Sequence, residues 1–270
     1  MGNPFEFFTI ERHGRTATLW LDRPEQRNAM GAAFWNELPA AMDEITRDEA
    51  IRAAVVAGRG RDFTVGLDLK AMQGLLSGGP AAASRLGFLD EILRLQRSIT
   101  AVARCPKPII AAIHGWCLGG GIDLATACDL RYAARDAVFS IRETRIAIVA
   151  DVGTLQRLPA IVGKGHVAEL AYTGRDFDAE HAERIHLVNR VLPDAETTVA
   201  AARATAEEIA ANSPLAVQGT KRVLEYCEGK SVDDGLQYVA TWNAAFLESD
   251  DLKEAMRAFR EKRAPEFTGR

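Results

Sequence analysis

The 270-residue chain has little of several patterns that would assign a protein to a class at once. Its four cysteines form no CxxC pair and no metal-ligand cluster with the five histidines, so we expect mostly buried, reduced thiols and no metal site. Basic charge is not in excess: 33 Lys and Arg stand against 37 Asp and Glu. This balance argues against a nucleic-acid partner.

The chain also lacks long apolar runs, since none approaches the roughly 18 residues that cross a bilayer. The first 15 residues contain no signal-peptide pattern, and the last residues are not a Ser-Lys-Leu signal. We therefore expect a cytoplasmic protein with no membrane span. A hydrophobic content of 47% over this length is enough to bury a substantial core.

Alternating strands and helices organise the first two thirds of the chain. Residues 5–24 predict two strands joined by a tight turn at His13-Gly14. A helical stripe follows, with Asn28 as a plausible N-cap, and residues 51–57 predict a short buried strand. This rhythm predicts an α/β fold.

The remaining segments are more local predictions. Residues 75–84 are rich in Gly, Ser and Ala and predict a mobile surface loop, and residues 85–104 predict an amphipathic helix. From Glu196 the pattern is helical throughout, with Ser213 and Ser231 as helix starts.

A glycine-rich stretch is the first candidate for function. An apolar run ending at Ile113 leads through Gly115 to Gly119-Gly120-Gly121 and into a helical pattern. The first amides of a helix have no internal partner, so such a turn offers main-chain donors to an anion or an oxyanion. The same glycines would also suit a tightly packed structural turn. A dinucleotide site or a phosphate loop does not fit the spacing.

Three acids, Asp123, Glu143 and Asp151, lie among apolar residues near this stretch. Each has a simple explanation by itself: Asp151 could cap a helix that starts at Val152, and Asp123 suits the first turn of its own helix. Capping explains three acids beside one glycine turn less well. They are candidates for proton transfer.

The pattern of these residues resembles the crotonase (enoyl-CoA hydratase/isomerase) superfamily. The chain reads GGGxDLxTACDxRY, then a glutamate twenty residues past Asp123, then ADVGTLQRLP, which is most similar to the isomerases that convert 3,5-dienoyl-CoA to 2,4-dienoyl-CoA. Enoyl-CoA hydratases of the superfamily have a glutamate at the position of Asp123 and PGxGGTQRL in place of ADVGTLQRL. The resemblance extends from about Phe7 to Phe267.

The resemblance implies a crotonase-like spiral of repeated ββα units with a C-terminal helical oligomerisation region. We accordingly divide the chain into a core with the acyl-CoA site (1–195) and a helical trimerisation region (196–270). It also implies a homotrimer or a dimer of trimers, and no cofactor, because coenzyme A is part of the substrate.

The resemblance further implies roles for individual residues. The backbone amides of Leu67 and Gly120 would form an oxyanion hole. Glu143 would act at carbon 2 and Asp151 nearer carbon 6, although the reverse order stays open, and Asp123 would hold Glu143 by a hydrogen bond or share its proton. The remaining residues would contact the acyl-CoA substrate, the last two of them in an adjacent subunit or at an exposed helix end: Arg27, Ala29, Val65, Gly66, Asp68, Leu69, Gly119, Phe259 and Lys262.

The expected function is therefore that of a dienoyl-CoA isomerase of fatty acid β-oxidation. Three alternatives stay open at this point: an enoyl-CoA hydratase, a simpler 3,2-enoyl-CoA isomerase, and a non-catalytic acyl-CoA-binding protein or scaffold. Acyl-chain length and the choice between trimer and hexamer are not encoded in any pattern that we identify.

Overall fold

A six-stranded sheet forms the centre of the computed structural model, which describes residues 3–69 and 82–270. Its strands, in spatial order, are β1 (Phe8–His13), β2 (Thr16–Leu21), β3 (Ala53–Gly58), β4 (Ile109–Ile113), β6 (Leu130–Ala134) and β9 (Arg190–Leu192). Only the first pair is antiparallel, and it turns at Gly14 with φ 57°, which confirms the predicted hairpin.

A second, three-stranded sheet accompanies the first. It contains β5 (Trp116–Leu118), β7 (Val138–Ser140) and β8 (Phe177–Asp178). Successive strands therefore alternate between the sheets: β4 and β6 lie in the large sheet, and β5 and β7, which follow them, lie in the small one. This alternation is the repeated ββα unit that we predicted.

Helices cover both faces of the large sheet. The helices of the described residues are α1 (Ala32–Arg47), α2 (Ala82–Ala103), α3 (Gly120–Ala127), α4 (Thr154–Val162), α5 (Lys164–Thr173), α6 (Ala179–Arg184), α7 (Ala195–Ala210), α8 (Pro214–Cys227), α9 (Val232–Phe246) and α10 (Asp250–Glu261). Alternate residues of β3 and β4 face two separate apolar clusters, and α7 packs on the smaller one. Period-two alternation in a sheet buried on both faces explains these continuous apolar strands.

The C-terminal helices begin where the sequence predicts. Ser213 accepts a hydrogen bond from the Ala216 amide, and Ser231 forms a reciprocal capping box with Asp234. Helix α2 begins at Ala82, inside the segment predicted as a loop, and residues 75–81 of that loop lie outside the described residues. The boundary at residues 195 and 196 stays a prediction. Three of the four thiols are buried, as expected, and Cys227 is exposed.

In the parts of the chain that the structure describes, no helix has the length and hydropathy that a bilayer span requires.

The N-cap predicted at Asn28 is wrong. Helix α1 starts at Ala32, its N-cap is Gly31, and Asn28 is instead fully buried. Its side-chain oxygen accepts from the Arg23 amide, and its nitrogen donates to the carbonyls of Arg59, Asp62 and Phe63 at 2.9–3.1 Å. Buried carbonyls need donors, and this amide supplies them across the loop after β3.

We expect Asn28→Ala to lower the free energy of unfolding by about 3 kcal/mol, because it leaves several buried backbone groups unpaired. Urea unfolding followed by circular dichroism measures this loss. Asn36→Ala, at an exposed site on α1, is the control and should cost less than about 0.5 kcal/mol. A similar loss in both variants would contradict the assigned role of Asn28.

Candidate active site

The glycine-rich turn has the strand-turn-helix order that its sequence predicts. The chain leaves β5 at Leu118 and enters α3 at Gly120, and Gly119 between them has φ 51°. The Gly119 amide donates to Ser140 O at 2.9 Å. The next amide, that of Gly120, has no acceptor among the described residues, as expected at a helix start. It is a free main-chain donor.

A second free donor lies in the segment after β3. Met30 pairs with Leu67 in a parallel bridge, through bonds from Met30 N to Gly66 O and from Asp68 N to Met30 O. Amides alternate in direction along an extended chain, so the amide of Leu67 points away from Met30. Within residues 3–69 and 82–270 it has no acceptor.

Close backbone approach brings the two segments together. A Cβ atom added to Gly66, whose φ is 80°, would lie 2.4 Å from Leu118 O and 3.4 Å from Gly120 N. Only glycine fits at Gly66, because the clash there is with backbone and the φ is positive. A Cβ at Gly120 would lie 2.7 Å from Met30 Sδ and would displace the end of that side chain. The residues predicted to supply the oxyanion donors are therefore neighbours in space.

Most of the predicted acyl-CoA contacts gather around these donors. The strand-like segments 27–30 and 64–68 are joined by bonds from Val65 N to Arg27 O and from Thr64 Oγ1 to Asn28 O. This places together Arg27, Ala29, Val65, Gly66, Asp68 and Leu69, with Gly119 beside them after Leu118. Arg27 is itself exposed and pairs with the buried carboxylate of Asp62.

Phe259 and Lys262 lie apart from this group. They are at the end of α10, where Phe259 is 83% exposed. The N-terminal turns of that helix are held to Ser213 and the last residues of the chain. No hydrogen bond among the described residues joins α10 to the segments 27–30 or 64–68. The structure does not bring these two residues to the rest of the predicted site within one chain.

Asp123 is the most deeply buried of the three acids, at 1% exposure in the first turn of α3. Its Oδ1 accepts from the Thr154 amide at 2.5 Å, whereas Oδ2 has no hydrogen-bond partner in the described chain. Burial raises the pKa of this carboxyl to about 6, although Thr154 and the charge of Arg157 oppose the rise. The hydrogen bond that we expected between Asp123 and Glu143 is not formed.

Glu143 begins a short 3-10 helix (Glu143–Ile146) just after β7. Its carboxyl lies over the glycine turn, since Oε1 would be 3.1 Å from a Cβ on Gly119. Burial, and then the charges of Asp123 and Asp151, raise its pKa to about 7. The half-buried carboxyl therefore titrates near neutral pH, where a general base is most effective.

Asp151 is half-buried in the turn before α4, and burial raises its pKa as well. The cap predicted for it is wrong: α4 begins at Thr154 behind Gly153, and Asp123, not Asp151, accepts the first free amide of that helix. Asp151 is thus left available, and its charge acts on both other carboxyls. The three acids form one electrostatically coupled group.

Three buried polar atoms in or beside this group lack a hydrogen-bond partner. Asp123 Oδ2, Glu143 Oε2 and Thr154 Oγ1 are buried and have no partner among the described residues. Buried polar atoms are normally paired, and exceptions are frequent at functional sites. These residues do not have the arrangement of a metal centre, and the described chain contains no cluster of three or more metal-ligating side chains.

Sequence reasoning did not identify three residues at the site. Thr154 holds Asp123, Arg157 lowers the pKa of Asp123 by its charge, and Gln96 donates to the carbonyl of Asp151. Thr154 and Arg157 lie in the motif after Asp151, which could have directed attention to them. Gln96 lies 55 residues from its partner and carries no local signal.

Glu143→Gln should raise the melting temperature at pH 8 by roughly 5 °C and have little effect near pH 4.5. Because the folded-state pKa of Glu143 is about 7, above its ordinary value of 4.5, the ionised group costs stability, and this cost develops as pH rises between the two values. Scanning calorimetry at both pH values gives the comparison.

Glu207→Gln, on the exposed face of α7, is the matched control and should leave the melting temperature unchanged at both pH values. An equal gain from Glu143→Gln at pH 4.5 and pH 8 would show that Glu143 is not forced towards neutrality by its surroundings.

Comparison with known proteins identifies the family of the chain. The sequence model of the enoyl-CoA hydratase/isomerase family matches residues 11–270. A protein of Dictyostelium discoideum named Delta(3,5)-Delta(2,4)-dienoyl-CoA isomerase, mitochondrial, is 46% identical over 268 residues, 97% of this chain and 92% of that protein. A protein of Arabidopsis thaliana with the same enzyme name, peroxisomal, is 44% identical over 92% of this chain and 91% of its own.

Structural comparison extends the likeness to the fold. The crystal structure of an enoyl-CoA hydratase from Bacillus anthracis is 31% identical and superposes with a TM-score of 0.89 over 98% of this chain and 100% of its own. The predicted crotonase-like architecture is confirmed.

The cytoplasmic location that we expected from the termini is wrong. The similar proteins of D. discoideum and A. thaliana are named mitochondrial and peroxisomal. Sorting signals are addresses that receptors read, independent of the fold and of overall composition, so the composition of the chain carried no information about location.

A family match over residues 11–270 and a relative that is 46% identical over 97% of this chain lead to one assignment: the chain belongs to the enoyl-CoA hydratase/isomerase family.

Proposed function

We propose that the protein is an enzyme that isomerises a 3,5-dienoyl-CoA thioester to the 2,4-dienoyl-CoA in fatty acid β-oxidation. The coupled set of Asp123, Glu143 and Asp151 supports this function most directly, because moving two double bonds requires proton removal at one carbon and proton delivery at another, and carboxyl groups can do both. Relatives that are 44–46% identical carry the name of this isomerase.

The reaction would begin at the thioester carbonyl. With its oxygen between the amides of Leu67 and Gly120, negative charge that develops there is stabilised, and each such donor is worth about 10²- to 10³-fold in rate. The proton on carbon 2 then becomes acidic enough for the carboxylate of Glu143 to remove. The electron pair of the broken C–H bond is then delocalised along carbons 2 to 6 and onto the thioester oxygen, which gives an extended enolate.

Reprotonation completes the shift. Asp151 would donate a proton to carbon 6, which moves both double bonds into conjugation with the thioester and leaves the composition of the substrate unchanged. A proton returns to Asp151 from Glu143 or from solvent. The ionised form of Asp123 raises the pKa of Glu143 and so strengthens it as a base. Only side chains and amides of this chain take part, and coenzyme A enters as part of the substrate.

We further propose that the C-terminal helices bind other copies of the chain in a homotrimer or a dimer of trimers. Large apolar side chains on α8, α9 and α10 and at their ends are 57–83% exposed: Leu224, Leu236, Leu247, Met256 and Phe259. A cavity of about 1100 Å³ also lies between these helices and the body of the chain. Exposed apolar side chains of this size on neighbouring helices are typical of an interface between subunits.

Asp151→Asn should lower the isomerisation rate of 3,5-octadienoyl-CoA by at least about 10²-fold, because the amide cannot donate the proton that carbon 6 needs. It should keep the exchange of carbon 2 hydrogens with deuterated water, which depends on Glu143. Glu143→Gln is the matched variant and should lose both reactions. Absorbance at the conjugated product and mass spectrometry of the recovered thioester provide the two measurements.

Near-normal isomerisation by Asp151→Asn would exclude its role as the acid, and continued carbon 2 exchange in Glu143→Gln would place the base elsewhere. Crotonyl-CoA belongs in the same experiment, because faster turnover of crotonyl-CoA than of the dienoyl substrate would identify a hydratase instead.

A further inference from the structure

The turn that carries Asp151 is held by residues outside it. Apart from the backbone amide of Asp151 itself, no hydrogen bond from the described part of the chain anchors the carboxyl of Asp151, so the position of that carboxyl depends on the backbone of residues 151–154. Each of these four residues is fixed by a side chain from another element or from the next turn of α4. The contacts are made by Gln96, Arg157 and Asp123.

Gln96 holds the first residue of the turn. From the middle of α2, its Nε2 donates to Asp151 O at 2.7 Å, and the side chain is half-buried. One helical turn later on the same face, Thr100 Oγ1 accepts from Arg157 Nη2 at 3.2 Å. One face of α2 therefore contacts both Asp151 and Arg157.

Arg157 and Asp123 hold the following residues. Arg157 Nη1 donates to Val152 O at 3.3 Å, and the guanidinium group packs against Gly153 so closely that a Cβ there would lie 1.6 Å from Nη1. Gly153 has φ 135°, which glycine adopts without strain. The Thr154 amide then donates to Asp123. We call this set of contacts, made by Gln96, Arg157 and Asp123 to residues 151–154, the clamp, and it links two of the three acids.

We propose that Gln96 is a positioning residue for the acid at carbon 6: by holding the Asp151 carbonyl, it keeps the Asp151 carboxyl within reach of the substrate chain. This role rests on the proposed isomerase function. Glu143 is carried by a different element after β7, so the carbon 2 step does not depend on Gln96. Misplacement of a reacting group by about 1 Å costs on the order of 10²-fold in rate.

The test uses Gln96→Met, which keeps the length and flexibility of the side chain and removes the donor. We expect kcat for isomerisation to fall about 10- to 100-fold with little change in KM, while carbon 2 exchange stays within about 2-fold of the unaltered enzyme. Arg97→Met, at the exposed neighbouring position on α2, should change neither reaction.

Hydrogen exchange gives a readout that does not depend on turnover. In Gln96→Met the Thr154 amide should exchange at least about tenfold faster, because the turn that presents it to Asp123 is no longer held. Arg97→Met should leave this exchange unchanged.

Unchanged isomerisation in Gln96→Met, or an equal fall in isomerisation and carbon 2 exchange, would overturn the positioning role and leave the isomerase function standing. Absence of isomerisation in the unaltered enzyme would overturn the proposed function itself. An unchanged exchange rate of the Thr154 amide in Gln96→Met would by itself show that Gln96 does not hold the turn.

Discussion

Removal of carboxyl groups from water is the constraint on which the candidate site depends. Asp123 is almost fully buried, and Glu143 is half-buried over the glycine turn. The charge of Asp151 raises the pKa of both, and the charge of Asp123 raises the pKa of Glu143. The group therefore holds fewer than three negative charges near neutral pH, so that a base and a proton donor coexist. Arg157 and the Thr154 amide limit the cost of the most buried charge.

Glycine residues allow two backbone hydrogen-bond donors to lie near this group of acids. Because Gly66 and Gly120 have no side chains, the loop after β3 approaches the start of α3 closely enough to align two free amides. The alternation of strands between two sheets brings the loops after β3, β5 and β7 to one place, and the acids and the donors lie on those loops or on the helices that follow them. The fold thus brings hydrogen-bond donors of the main chain close to carboxyl groups that can accept or donate a proton.

Local patterns predicted the elements and the acids better than they predicted the partners of those acids. The hairpin at Gly14 and the caps at Ser213 and Ser231 were predictable because their signals lie within four residues of the structure that they cause. Asn28 and Asp151 have the same local appearance as caps, but the Thr154 amide expected to bond to Asp151 donates instead to Asp123, 31 residues before Thr154. Gln96 and Asp151 are still further apart in the sequence, at 55 residues, and no periodicity predicts their contact.

The most direct test of this account is the pH dependence of kcat/KM for 3,5-dienoyl-CoA isomerisation between about pH 5 and pH 8. If Glu143 is the base and its pKa is about 7, kcat/KM should fall as pH is lowered through that value, by about tenfold per pH unit on the acid side. A rate that stays constant down to about pH 5, the range of an ordinary exposed glutamate, would contradict the coupled group of buried carboxyls.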